Sequence, residues 1–176
     1  MKIYKAFFLL FIGVMIQSCM VPKNVGYCTN YLTDEEKREF TDSMNYYRAS
    51  VGVPPVKYSF IHEQLPMKRI QTIFEHLRET PEEEIKKDGN YHHHFGIEAD
   101  SKSYFDSVPL YNVLWSENVI KGFTLYHKID LFKEWKSSPK HWENMMKPEF
   151  RYISLCECIS SKSGFTLVVL SLFSAE

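Results

Sequence analysis

The stretch Trp135–Phe150, "WKSSPKHWENMMKPEF", decides how the chain is read. A tryptophan ends one amphipathic segment, Ser-Ser-Pro interrupts it, and a histidine opens a second short helix ahead of Pro148. Pro139 disfavours helical geometry at Ser138 and presets the backbone for a first helical turn. His141 therefore stands near a fresh helix N-terminus, aimed rather than merely packed. A histidine in a helix turn is more often structural than functional, so its surroundings must decide its role.

Working outward, Leu125, Ile129, Phe132 and Trp135 recur at helical spacing and predict a helix over Leu125–Lys136. Before it, Tyr111–Ile120, "YNVLWSENVI", reads as a strand in which Val113, Trp115 and Glu117 alternate against Asn112, Leu114 and Ser116. Glu117 thus shares a face with Trp115. After it, Tyr152–Ile159 and Phe165–Phe173 are β-rich runs joined by "SSKSG", a hairpin signal. Leu167–Leu170 is apolar without interruption, so the last strand is expected to be central and covered on both faces.

Nearer the N-terminus, Thr33 followed by Glu36 is a capping-box signature, and Asp34, Glu35 and Glu36 suit the positive end of a helix dipole. A helix over Asp34–Ser50 follows, with Phe40, Met44 and Tyr47 as its buried stripe, ending at Gly52 before Pro54 and Pro55. Met67, Ile70, Phe74 and Leu77 predict a second helix over Met67–Arg78, with Pro66 in its first turn. The polar interval Glu79–Pro109, which contains His92, His93 and His94, reads as a long connection of the functional or mobile kind. Helices come before and between, strands come late, and no repeat is visible. The pattern is a mixed α+β layered domain.

A chain of 176 residues, 44% hydrophobic, suits one globular domain plus a short leader. The formal charge is −1, and −3 once a leader carrying Lys2 and Lys5 is removed. Without a basic stripe, a nucleic-acid partner is excluded as an expectation. Lys2 and Lys5 form a positive n-region, and Ala6–Ile16 is an apolar run too short to span a bilayer. "IQSC" closes it and resembles a permissive lipobox. Residues 1–18 are therefore expected to be a lipoprotein signal peptide, 19–32 a tether lipidated at Cys19, and 33–176 the folded domain. The lipid would be the contact with the membrane. "MVPKN" after Cys19 lacks an acidic cluster resembling a surface-export tag, which favours the periplasmic side of a bacterial envelope. Export permits a disulfide. Cys156 and Cys158 share one side of a strand, so one bridge at most is expected, from Cys28 to either.

Three stretches together resemble the CAP superfamily, the SCP-like domain of cysteine-rich secretory proteins. "NYYRASVGVPPVKYS", with Asn45, Arg48, Gly52, Pro54 and Pro55, is similar to the family's first helix and its exit. "SENVIKG" resembles its Gly-Glu-Asn-Ile strand motif, with Ser116 in place of Gly. Trp135–Phe150 resembles the bacterial form of its tryptophan, serine-proline and histidine block. The resemblance implies an α-β-α sandwich with a central, largely antiparallel sheet and an open cleft. In eukaryotic members that cleft holds two His and two Glu and in some cases binds zinc or another divalent ion. Glu117 matches the strand glutamate and His141 the second histidine. Ser138 stands where the second glutamate would be, so the tetrad is incomplete. The bacterial His-x-Gly pattern fits His94-Phe95-Gly96; His92 shares the side of His94 and His93 faces away.

His94, Glu117 and His141 would give a metal two imidazoles, one carboxylate and an open position, a shell that lowers the pKa of zinc-bound water toward about 7. This is the metal-assisted, peptidase-like hydrolase reading, with Glu117 and His141 as its catalytic residues. The helical His-Glu-x-x-His spacing is missing, and Glu117 is the one candidate base. Under the structural reading, Glu117 accepts hydrogen bonds from His141 and from amides at a helix start, locking strand to helix. The cleft of His94, Glu117, Ser138 and His141 is then a binding surface. Relatives bind sterols, fatty acids or protein partners, and the favoured expectation here is a lipid-anchored ligand-binding or interaction module. Its ligand would be lipid-like or a protein, and zinc or another divalent cation is the one cofactor the resemblance suggests.

Overall fold

The computed structural model describes residues 32–87, 94–109, 112–122, 128–159 and 166–175. The expected signal peptide, Cys19, Cys28, His92, His93 and the "SSKSG" turn lie outside these residues. Helix α1, Asp34–Ser50, starts as its sequence demands. Thr33 Oγ1 accepts from the Glu36 amide at 3.2 Å, and the Thr33 amide donates to Glu36 Oε2 at 2.8 Å. It stops at Gly52, whose φ of 72° is left-handed and favours glycine. Asn45 then brackets Val56, donating to its carbonyl at 2.9 Å and accepting from its amide at 2.8 Å. Thus α1 carries the chain directly into strand β1, Lys57–Tyr58.

A short 3-10 turn, Ile61–Glu63, leads into α2, Gln64–Glu79, in whose first turn Pro66 lies. The interval expected to be one long connection contains two helices, α3 Glu82–Lys87 and α4 Ile97–Ser107. The buried residues of α4 are Asp100, Ser101 and Tyr104, so a search for apolar periodicity cannot register it. Strand β2 is Trp115–Gly122, starting later than the alternation suggested; Asn112, at φ 58°, is left-handed and breaks the extended run. Helix α5 is Lys128–Ser137, and α6, Pro139–Met146, begins with Pro139 in its first turn and Ser138 as N-cap. Strands β3, Tyr152–Ile159, and β4, Thr166–Phe173, complete the chain.

The sheet order is β1-β3-β4-β2, with β1 parallel to β3 and the other pairs antiparallel. Strand β4 is interior and buried along its whole length, as its apolar run requires. On one face Phe40 and Met44 of α1, Phe132 and Trp135 of α5 and Met145 of α6 pack on Ile153, Leu155, Val168 and Leu170. On the other, Ile70 and Ile73 of α2 pack on Val119, Cys156, Leu167 and Val169. Each such side chain stabilises the fold by roughly 1.5–3 kcal/mol before conformational entropy is counted. The result is helices on both faces of a mostly antiparallel sheet. Cys158 is disulfide-bonded, with its partner outside the described residues, whereas Cys156 keeps a thiol that burial pushes well above its usual range. Among the described residues no helix is long and apolar enough to cross a membrane.

Candidate functional site

The site gathers around β2, one of the two edge strands of the sheet among the described residues, and its alternate residues reach opposite faces. Glu117 points to the α2 face and Asn118 to the face covered by α6. The Glu117 side chain is fully enclosed and needs a counter-charge. Arg69 of α2 supplies it: Nε donates to Oε2 at 2.8 Å and Nη2 to Oε1 at 3.3 Å. The same guanidinium donates through Nη1 to Asp100 Oδ2 of α4 at 2.8 Å and to the Phe95 carbonyl at 2.8 Å. Burial alone would lower the pKa of Arg69, but the hydrogen bonds and charges of Glu117 and Asp100 outweigh it and leave the pKa raised.

The His94-Phe95-Gly96 segment is seated on α2 by three contacts. Arg69 holds the Phe95 carbonyl, the Phe95 ring stacks on His76 with centroids 3.7 Å apart, and Gly96 lies against Thr72. Gly96 has φ 73°, and a Cβ there would meet Thr72 Cγ2 at 2.7 Å, so both conformation and space demand glycine. This places His94 Nδ1 at 3.1 Å from Glu117 Oε1. Because a carboxylate only accepts, Nδ1 is the donor in this contact.

His141 arrives from the opposite face. Asn118 Nδ2 donates to the His141 carbonyl at 3.0 Å, and Asn144 Nδ2 donates to Asn118 Oδ1 at 3.1 Å, tying α6 to β2. The C-terminal end of α6 is held by Arg48, whose Nη1 reaches the Met145 carbonyl at 2.6 Å and the Lys147 carbonyl at 3.1 Å. Among the described residues the His141 ring makes no hydrogen bond. Burial first, then the charges of His94 and Lys140, lower its pKa, so at neutral pH it presents an uncharged imidazole.

Between α4, β2 and α6 lies an open cleft of about 470 Å³, lined by His94, Glu117 and His141 among others. Three of the four expected cleft residues therefore meet. Ser138 does not line it: it is the N-cap of α6, its side chain makes no capping bond, and His141 lies one turn further into the helix. Ser116, Ser101, Lys140 and Asn144 line the cleft instead.

Two expectations about Glu117 change. It is locked in place, but by Arg69 and His94 rather than by His141, which approaches from the other side of the strand. A three-ligand metal shell of His94, Glu117 and His141 does not fit this arrangement. Both Glu117 oxygens are engaged by a buried guanidinium, and among the described residues no group of three or more His, Cys, Asp or Glu side chains is placed to hold a metal ion. The same contacts deprive Glu117 of the freedom a general base requires. Arg69 escaped sequence reasoning although a signal was present. It stands beside Ile70 and four residues before Ile73, a charge inside the buried stripe of α2.

The comparisons with known proteins agree with this architecture. No curated protein sequence matches the chain significantly. Among solved structures, an outer surface protein from Borrelia burgdorferi superposes with a TM-score of 0.60 at 14% identity, covering 85% of this chain and all of that one. A cysteine-rich secretory protein from Staphylococcus aureus superposes with a TM-score of 0.52 at 12% identity, covering 80% of this chain and 39% of that one. At these identities the likeness concerns the fold. The profile of the cysteine-rich secretory protein family, CAP, matches residues 41–171, and the chain belongs to that family.

Proposed function

We propose that the domain is a ligand-binding or interaction module held at the bacterial cell envelope by lipid on Cys19, with the cleft beside β2 as its binding surface. The observation that supports this most is the engagement of Glu117 by Arg69. A carboxylate with both oxygens bonded to a buried guanidinium is a rigid part of the cleft wall, not a base awaiting a proton. The hydrolase alternative loses its base and its third metal ligand through the same contact. What remains is a preformed concavity whose imidazoles and amide groups orient a ligand, of the kind that serves recognition. The ligand is lipid-like or a protein segment.

Calorimetric titration of the full chain with a long-chain fatty acid and with a sterol tests the cleft. His141→Ala is expected to abolish any binding that the native chain displays, and equal affinity in both would remove the cleft from the proposal. Turnover of a peptide or ester library by the native chain, lost in a folded Glu117→Gln variant, would instead establish the hydrolase. For location, we favour the periplasmic side, although the Borrelia relative is an outer surface protein. Protease added to intact cells is expected to spare the domain, and rapid digestion would put it on the surface.

A further inference from the structure

Among the described residues, strand β2 carries an unpaired hydrogen-bonding edge where it borders the cleft. Its register with β4 pairs Ser116 with Leu172 and Asn118 with Leu170, and the Ser174 amide donates to the Leu114 carbonyl at 2.9 Å. In an antiparallel ladder, opposed residues alternate between exchanging backbone hydrogen bonds and facing away. Leu114, Ser116 and Asn118 therefore spend their backbone groups on β4, and those of Trp115 and Glu117 point outward. Among the described residues these outward groups meet no partner.

The same three residues, Trp115 to Glu117, form the floor of the cleft, with α4 on one side and α6 on the other. Exposed edges are normally blunted by proline, charge or a covering segment, because they pair with any extended chain. Here neither proline nor an outward charge interrupts Trp115–Glu117. From these facts we infer that the cleft takes an extended polypeptide segment, which adds to β2 as a further strand along Trp115–Glu117. The inference rests on the cleft being a binding surface and names the class of its partner. Backbone groups of the added segment satisfy Trp115 and Glu117. Its side chains alternate between the two walls, some toward His94 and Ser101, others toward Lys140, His141 and Asn144. A lipid tail cannot satisfy that row of donors and acceptors, which is why a peptide is favoured over an apolar ligand.

The test uses the full chain in detergent micelles, panned against a phage-displayed random dodecapeptide library. The selected peptide is synthesised plain and with N-methyl groups on alternate residues. Binding is expected to slow amide hydrogen exchange at Trp115 and Glu117. N-methylation of one alternate set should weaken affinity about tenfold or more, the loss of roughly one hydrogen bond, while the other set is tolerated. A peptide that perturbs His141 but leaves both amides unprotected overturns the strand addition and leaves the cleft proposal standing. Protection that grows with protein concentration in the absence of peptide assigns the edge to a second copy of the chain. Failure to select any cleft-binding peptide also overturns the inference, and the fatty-acid and sterol titration then decides the cleft proposal separately.

Discussion

Arg48 and Arg69 are both fully buried, and the fold accommodates them by opposite means. Arg69 is neutralised by Glu117 and Asp100 and its pKa is raised. Among the described residues Arg48 meets only carbonyls, donating to Pro54 at 2.7 Å and Phe150 at 2.9 Å in addition to Met145 and Lys147. Burial, with a smaller push from the charge of Arg151, lowers the pKa of Arg48 to about 10. Each guanidinium anchors one wall of the cleft: Arg69 holds the His94 segment and α4, and Arg48 holds the end of α6. The difference is what remains when the cation is removed. On the Arg69 side two buried carboxylates are stranded; on the Arg48 side only neutral acceptors are.

That contrast sets the order of expected effects. Arg69→Met should cost about 3–5 kcal/mol in urea unfolding, as for other broken buried ion pairs. The triple change Arg69→Met, Glu117→Leu, Asp100→Leu should recover most of it, because an apolar replacement strands no charge. If single and triple variants were equally unstable, packing rather than charge would explain Arg69. Arg48→Met should cost less, about 2–3 kcal/mol, since it leaves carbonyls without a donor but no uncompensated charge. A loss larger than that of Arg69→Met would reverse the comparison.

The smallest effect is expected from His141. Its folded pKa lies below the ordinary value of 6.5, so the unfolded chain takes up the proton more readily. The stability tied to its neutral form is therefore complete above about 6.5, the unfolded value, and is lost as the pH falls from there through the lower folded pKa. Between pH 7.5 and 5.5 the native Tm should fall further than that of His141→Gln. Parallel curves would mean that the ring titrates as freely as in the unfolded chain.

Much of the fold was legible locally. The capping box at Thr33 and Glu36, the proline that starts α6 and the continuous apolar run of β4 act over a few residues, and each lies where the sequence places it. Helix α4 was not legible, because its buried face is Asp100, Ser101 and Tyr104 rather than an apolar stripe. The site was legible in part: His94, Glu117 and His141 do border one cleft. Ser138 is the N-cap at the helix entrance, and the turn that follows carries His141 to the cleft.

By itself the sequence determined α1, α2, α5 and α6, the late strands and the membership in the CAP family, all of which depend on short-range periodicity, caps and local motifs. Only the tertiary structure decided what Glu117 does. Its partner Arg69 is 48 residues away, on a helix whose periodicity marks that position as buried without saying what it faces. A buried carboxylate takes its chemistry from the nearest counter-charge, and only the packing of α2 and α4 against β2 brought that charge to it.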